Sequence, residues 1–361
     1  MNNTIGNSIK MTLLGESHGK YIGAVVDGLP AGIPVNEEEI AKALAARRPQ
    51  GDISTSRREA DEFTVASGVF RGYTCGTPLC ILIPNADVKS SDYSSMPARP
   101  GHADFTSHLR NAGFEDFRGG GHFSGRITAA AVAACSVITS ALEAKGVTVG
   151  THILSIANVS DRSFSGGADE IKSLKNDPFP LLDRSREHVM KEAIASAKRD
   201  GDSVGGILES AVCGVPAGIG DPWFSTVEGS LSYALFSIPA VKGVEFGRGF
   251  ALAAMRGSEA NDPFVIKDSL VTTETNNCGG VLGGLTTGRE IVFRTAVKPT
   301  PTISAEQRTV DVSSMTEQSV SFGGRHDPCV VHRAASVINA VTAFVIADMI
   351  ASAGGEAALL P

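Results

Sequence analysis

The sequence predicts an α+β fold of layered sheets and helices, read as one domain over residues 1–361. Three observations carry that expectation. Helical and strand-like runs are mixed without a steady β-α-β-α beat, which disfavours a doubly wound sheet. The composition, 42% hydrophobic and 20% charged, is that of a folded globular chain. No Pro/Ser linker or composition break divides the 361 residues, although that length suits either one large core or two domains.

The elements follow in chain order. Asn36 reads as an N-cap, with Glu39 placed to complete a capping box. The helix behind it, with Ile40 and Leu44 on one face, runs to Arg47-Arg48 and stops at Pro49. Residues 127–146 form a second helix closed by Gly146, and 186–201 a third closed by Gly201. Residues 226–238 and 333–353 are further helices. The runs LCILIP (79–84), GGILESAVCGVP (205–216), FALAAMRG (250–257) and EIVFRTAV (290–297) read as strands between turn residues. The most apolar stretch, 335–355, carries Asn339 and Asp348 and ends at Gly354-Gly355, so it reads as a buried core helix and not a membrane span.

Charge and composition exclude several function classes. A net charge of −7 argues against a nucleic-acid footprint over the whole surface. One Trp and four Tyr leave little for a sugar or base-stacking platform. The six cysteines, at 75, 80, 135, 213, 278 and 329, form no CxxC pair and read as free thiols in a reducing compartment. The N-terminus lacks a basic start followed by an apolar run, so no signal peptide is expected and the chain is placed in the cytoplasm. GxGxxG after a strand, GxxxxGK[ST] and HExxH are all missing, as is a repeating metal-ligand spacing.

Glycine is the unusual component: 40 residues, or roughly 11% against an average of about 7%. It clusters beside charge, in GESHG (15–19), RPGHADFT (99–106), RGGGHFSGR (118–126) and GGRHDP (323–328). His18, His102, His122 and His326 each sit in one of these clusters. A lone loop histidine is usually only solvated, but four among glycines and arginines suit proton transfer beside an anion. Arg47, Arg48, Arg57, Arg58, Arg99, Arg118, Arg126, Arg325 and Arg333 follow the same distribution. Their guanidinium fork matches carboxylate and phosphate, although surface ion pairs are the bland alternative for residues 46–61. RGGG followed by GR, just before a helix, has the form of an anion nest. Residue chemistry alone thus reaches an enzyme acting on a small phosphorylated polyanion.

Taken together the segments resemble the chorismate synthase family. GESHG…DGLPAGIPV, RRP…SRRE.DEF, SGVF.G.T.GTP, RPGHADFT, FRGGG, GDSVGG, GVPAG.GDP.F, AVKGVEFG.GF, GG.LGG, KPTPTI and GRHDPCV occur in the family's order over most of the chain. The resemblance implies a single-domain β-α-β sandwich and a homotetramer. It implies loss of phosphate from C3 and of the C6 hydrogen from 5-enolpyruvylshikimate 3-phosphate to give chorismate, with reduced FMN required and no net redox change.

Residue by residue, the resemblance places the family's two proton-carrying histidines at His18 and His102, and its carboxylate at Asp327. Arg47, Arg126 and Arg325 match anion-binding positions, and Arg99 is expected to grip a substrate anion beside His102. Flavin contacts are implied at Arg47, His122, Phe123, Ser124, Pro239, Ala240, Gly283, Lys298, Pro299, Thr300, Pro301, Thr302 and Arg325. Two departures stand out. GGHFSGRIT replaces the commoner GGRSSARET, so His122 stands where a fixed cation is usual. The loop 49–56 lacks an arginine that many members carry, so its second anion contact is not assured, and Arg57 is the candidate substitute. With no reductase domain before Pro361, an external flavin reductant is expected. The competing readings are a flavin-independent phosphate lyase or phosphatase, and an inactive paralogue acting as a scaffold.

Overall fold

The computed structural model describes residues 2–55, 60–86, 97–322 and 326–360. Its first sheet contains β1 (Thr4–Ile5), β2 (Lys10–Gly15), β3 (Tyr21–Asp27), β4 (Thr64–Ser67) and β5 (Leu79–Pro84), in the spatial order β1-β2-β3-β5-β4. The second contains β6 (Thr148–Ile156), β7 (Val159–Ser160), β8 (Gly206–Cys213), β9 (Val241–Phe246) and β10 (Ile291–Val297), in the order β9-β10-β8-β6-β7. Every pairing in both sheets is antiparallel.

Period-two burial sets the inner faces. Leu79, Ile81 and Ile83 of β5 are buried, as are Ile291, Phe293, Thr295 and Val297 of β10. Helix α1 (Glu37–Arg47), α2 (Asp104–Asn111), α3 (Thr128–Ala144), α4 (Glu187–Arg199), α5 (Val227–Leu235) and α6 (Val331–Gly354) complete the main elements. Helix α3 packs on β3 and β5 of the first sheet, α6 packs on β6 and β8 of the second, and the two helices pack on each other. One apolar cluster therefore draws on both sheets and the helices between them. This is the α+β arrangement the sequence predicts, with helices enclosed between sheets.

Two segments, Gly125–Ala144 and Val331–Gly354, are long and apolar enough to span a membrane by composition, yet both are mostly buried inside the protein. The acid in the second has an internal role. Asp348 accepts the backbone amides of Asn7, Ser8 and Ile9, at 2.8 to 3.1 Å, and ties the start of the chain to α6.

Local signals hold at the helix ends. The Asn36 side chain accepts from the amides of Glu38 and Glu39. Glu39 departs from the expected box: its carboxylate meets Lys42 at 3.0 Å and Lys175 at 3.3 Å. Asn36→Ala is therefore expected to cost about 1 kcal/mol, the usual value of an N-cap, read as a lower denaturation midpoint with unchanged slope. Gly146 ends α3 at φ 79°, with its amide on Glu143 and that of Val147 on Leu142, a Schellman closure.

One strand expectation fails. Residues 250–257 do not extend: Gly249–Ala254 is a 3-10 turn and Gly257–Ala260 a short helix. Gly247 and Gly249 both take φ 54°, and the Glu245 carboxylate accepts the Phe250 amide at 3.1 Å. The chain is turned and capped where a strand would have to continue.

Candidate active site

The site is organised around residues 116–128, the glycine-rich run that leads into α3. Gly119, Gly120 and Gly121 take φ 60°, 83° and 54°, so three successive residues lie in backbone space that favours glycine. His18 reaches this run from the β2–β3 turn, where the Ser17 amide donates to the Gly121 carbonyl at 3.0 Å. A Cβ on Gly119 would lie 2.2 Å from both Nδ1 and Cε1 of His18. His102 comes from the RPGH turn before α2, and a Cβ on Gly120 would lie 3.2 Å from its Nε2 and Cε1. Two histidines 84 positions apart thus rest their ring edges on adjacent glycines.

The RPGHAD turn closes on itself. His102 Nδ1 lies 2.6 Å from Asp104 Oδ1, and Arg99 forks onto the same carboxylate, Nε at 2.7 Å and Nη2 at 2.8 Å. Burial raises the proton affinity of Asp104, but hydrogen bonds from Arg99 and then His102 outweigh it and hold the carboxyl far below the usual range. Arg99 was expected to face a substrate anion; its guanidinium instead holds Asp104, because a carboxylate two residues past the histidine is within its reach. Lys298, just past β10, donates from Nζ to the Gly101 carbonyl at 2.6 Å and makes no ion pair among the described residues. Its amide donates to Ala240, which holds φ 73° beside Pro239. Pro301 packs under Gly101, and the Thr300 carbonyl accepts from Ser203. Thr300 Oγ1 is buried with no hydrogen-bond partner among the described residues. Pro299 flanks these groups and Thr302 is buried behind them.

At the other end of the run, Arg47 of α1 donates from Nε to Thr128 Oγ1 at 3.0 Å and from Nη2 to the Gly125 carbonyl at 2.7 Å. Arg333 of α6 ion-pairs with Asp327 and donates to the Arg47 carbonyl. Asp327 also accepts the Thr55 amide at 2.9 Å. Beneath this loop His332 meets Ser54 Oγ at 2.8 Å, and burial, with help from Arg333 and Lys191, pushes its imidazole down to about 3. It is a neutral structural pin.

Arg126 is buried and ion-paired with Asp61, and its Nε donates to Asn85 Oδ1 at 3.1 Å. Asn85 turns its Nδ2 onto the carbonyls of Glu16 and Gly19 and so ties Arg126 to the His18 turn. The expectation that Arg126 faces a substrate anion thus meets a guanidinium already held by a buried carboxylate. His122 donates from Nδ1 to the Gly15 carbonyl at 2.7 Å, since a carbonyl only accepts. Phe123 is partly exposed, and Ser124 Oγ accepts the Arg126 amide. Gly283 sits in the turn of the hairpin Val281–Leu282 and Leu285–Thr286, where the adjacent Gly284 carbonyl receives the first amide of α5. Arg325 and Arg57 lie outside the described residues.

Asp61, Asn85 and Asp104 are components for which no role was expected, and Arg333, grouped in the sequence with the anion-matching arginines, holds Asp327. Asp104 stood inside RPGHADFT, and Asp61 just past the basic loop. Asn85 carries no sequence signal beyond following a strand.

A sequence model of the chorismate synthase family matches residues 9–351. The chain belongs to the chorismate synthase family. The chorismate synthase of Pyrococcus abyssi is 48% identical over 345 residues, covering 95% of this chain and 96% of the relative. That of Methanocella arvoryzae is 45% identical over 356 residues, covering 98% and 95%. A crystal structure of chorismate synthase superposes with a TM-score of 0.76 at 28% identity, over 98% of this chain and 94% of that one. Chorismate synthase function is a carbon–oxygen lyase activity on a small-molecule substrate, and membership in the family leaves the phosphatase and scaffold readings without support.

Proposed function

We propose that this chain acts as one domain and eliminates phosphate and the C6 hydrogen from 5-enolpyruvylshikimate 3-phosphate, using His18 and His102 as its proton carriers and reduced FMN as its cofactor. The observation that carries the assignment is the meeting of both rings over Gly119–Gly120. His102 in its imidazolium form donates from Nε2 as the C3–O bond breaks. The bonding pair stays with the phosphate oxygen, which takes the proton. His18, on the adjacent glycine, is the second proton carrier. Asp327 is the carboxylate on the side of the run held by Arg47 and Arg333.

The residues present fit a phosphorylated anionic cofactor. Lys298 offers a cation without a carboxylate partner among the described residues, and Thr300 Oγ1 a buried hydroxyl without a hydrogen-bond partner there. With Arg47, His122, Phe123, Ser124, Pro239, Ala240, Gly283, Pro299, Pro301, Thr302 and Arg325 they make up the flavin-binding set, which is assigned by resemblance. Bound there, reduced FMN supplies an electron-rich ring, and the reaction needs it without net redox change.

The test is anaerobic. Reduced FMN is expected to bind more tightly than oxidised FMN, because the cationic groups favour the anionic form. Turnover is expected with substrate and chemically reduced FMN, but not with NADPH and oxidised FMN, since an external reductant is assigned. Equal affinity for both redox states would count against the cofactor reading. His122→Arg adds a second readout. With Nδ1 on Gly15, the ring gains a donor at Nε2 only on protonation. FMN affinity, measured from about pH 6 to 8.5, should therefore fall with rising pH in the native protein and hold in the variant. Identical profiles would leave His122 as neutral lining.

We assign the chain to the cytoplasm, the compartment its free thiols suit, and to a homotetramer, on resemblance. Light scattering at micromolar concentration checks the assembly, and a monomer there would refute it.

A further inference from the structure

We propose that Asp104 and Arg99 are a positioning pair for His102. Asp104 fixes the ring with its proton on Nδ1 and its Nε2 edge over Gly120, and Arg99 limits the negative charge that the ring feels. The inference rests on His102 being a proton carrier only for its consequence in turnover, not for the geometry.

Hydrogen-bond chemistry fixes the ring. An ionised carboxylate only accepts, so the 2.6 Å contact between Asp104 Oδ1 and His102 Nδ1 requires a proton on Nδ1. The opposite tautomer would press a lone pair against a carboxylate oxygen. Nε2 is then the atom left to gain or lose a proton, and it is the atom that lies over the glycine run.

Arg99 does more than hold Asp104. Its Nη2 stands 3.1 Å from His102 Nδ1 and 2.8 Å from Asp104 Oδ1, and its backbone amide meets Oδ2 at 3.0 Å. His102 thus sits beside a carboxylate that favours its imidazolium and a guanidinium that opposes it. Among the described residues, other charged groups on the elements around it are Lys298 on the Gly101 carbonyl, His18 across the glycine run, and the Arg118–Asp116 ion pair that opens that run. The substitutions below leave all of these in place.

Two charge-removing variants therefore act in opposite directions. Asp104→Asn removes the favourable charge and leaves Arg99, so His102 should lose its proton at lower pH. Arg99→Gln removes the opposing charge and leaves Asp104, so His102 should hold its proton to higher pH. A merely structural role predicts no such opposition.

The experiment follows carbethoxylation of His102 by diethyl pyrocarbonate, read by peptide mass spectrometry. The holoenzyme and both variants are compared between about pH 5.5 and 8.5, a window around an ordinary histidine. The neutral ring reacts, so the rate reports its titration. Midpoints should separate by about one pH unit to each side, the lower end of shifts seen for charges at this range. The alkaline limb of turnover, measured anaerobically with reduced FMN, should move the same way. Coincident midpoints, or midpoints displaced in the same direction, would overturn the positioning pair. Midpoints that separate while the turnover limb stays fixed would uphold the pair and refute His102 as the proton donor. Should Asp104→Asn fail to fold, Arg99→Gln decides alone: a midpoint at or below that of the native protein overturns the proposal.

Discussion

His102→Ala is expected to lower turnover on the order of 10²–10⁴-fold, the range of a general acid–base group, while KM changes far less. The asymmetry follows from position. His102 is held by Asp104 on one side and by Gly120 on the other, and the groups proposed to hold anions are different residues, Lys298 and Arg47 among them. Removing the ring removes a proton donor and leaves those cations in place. His18→Ala should behave similarly, since its ring occupies the adjacent glycine. Anaerobic steady-state kinetics with reduced FMN separate the two constants. A raised KM with unchanged kcat would show that the histidines bind and do not transfer protons.

Gly119→Ala is expected to lower activity nearly as far as His18→Ala. The added Cβ would stand 2.2 Å from Nδ1 and Cε1 of His18 and 2.8 Å from Ser17 Oγ, closer than real contacts allow. His18 is buried in a turn pinned by the Ser17 amide, so the ring has little room to move aside. The φ of 60° adds strain, of order 1–2 kcal/mol for a residue with a Cβ. Gly125→Ala is the control, because a Cβ there meets nothing within 4 Å. Thermal melting and kcat measured on both should separate them. A Gly119→Ala protein with native melting and native kcat would show that His18 does not rest on the run.

Much of this was legible in the sequence. Helix ends announce themselves through short-range chemistry: Asn36, Gly146 and Gly201 act on neighbouring amides and carbonyls. The strands β5, β8 and β10 carry apolar runs long enough to read. Strands β2, β3, β6 and β9 were not read, because KMTLLG, YIGAVVD, TVGTHILSI and VKGVEF contain or adjoin glycines that draw attention to turns. The run 250–257 misled because apolarity alone does not distinguish a strand from a turn capped by a distant Glu245.

In the site, the histidines were legible because histidine among glycines and arginines is chemically unusual. The partners of the arginines were not. Arg99 and Arg126 read as open anion grips, whereas Asp104 and Asp61 already hold them. Asp104 lies five residues from Arg99 and was in view, but the pairing needs the turn's geometry. Asp61 lies 65 residues from Arg126, a separation that only the folded chain closes.

Helix α3 begins as TAAAVAA, with Ala129, Ala130, Ala131, Ala133 and Ala134 all buried. Short side chains let helices and sheets approach closely, since the distance between packed helices follows the residues at the contact. His18 rides on the first sheet, and the His102 turn is tethered through Lys298 to the end of a strand in the second. The alanine layer therefore works as a shim whose thickness gauges the gap between the two rings. Residues on a helix that carries neither histidine thereby calibrate the spacing of the two rings.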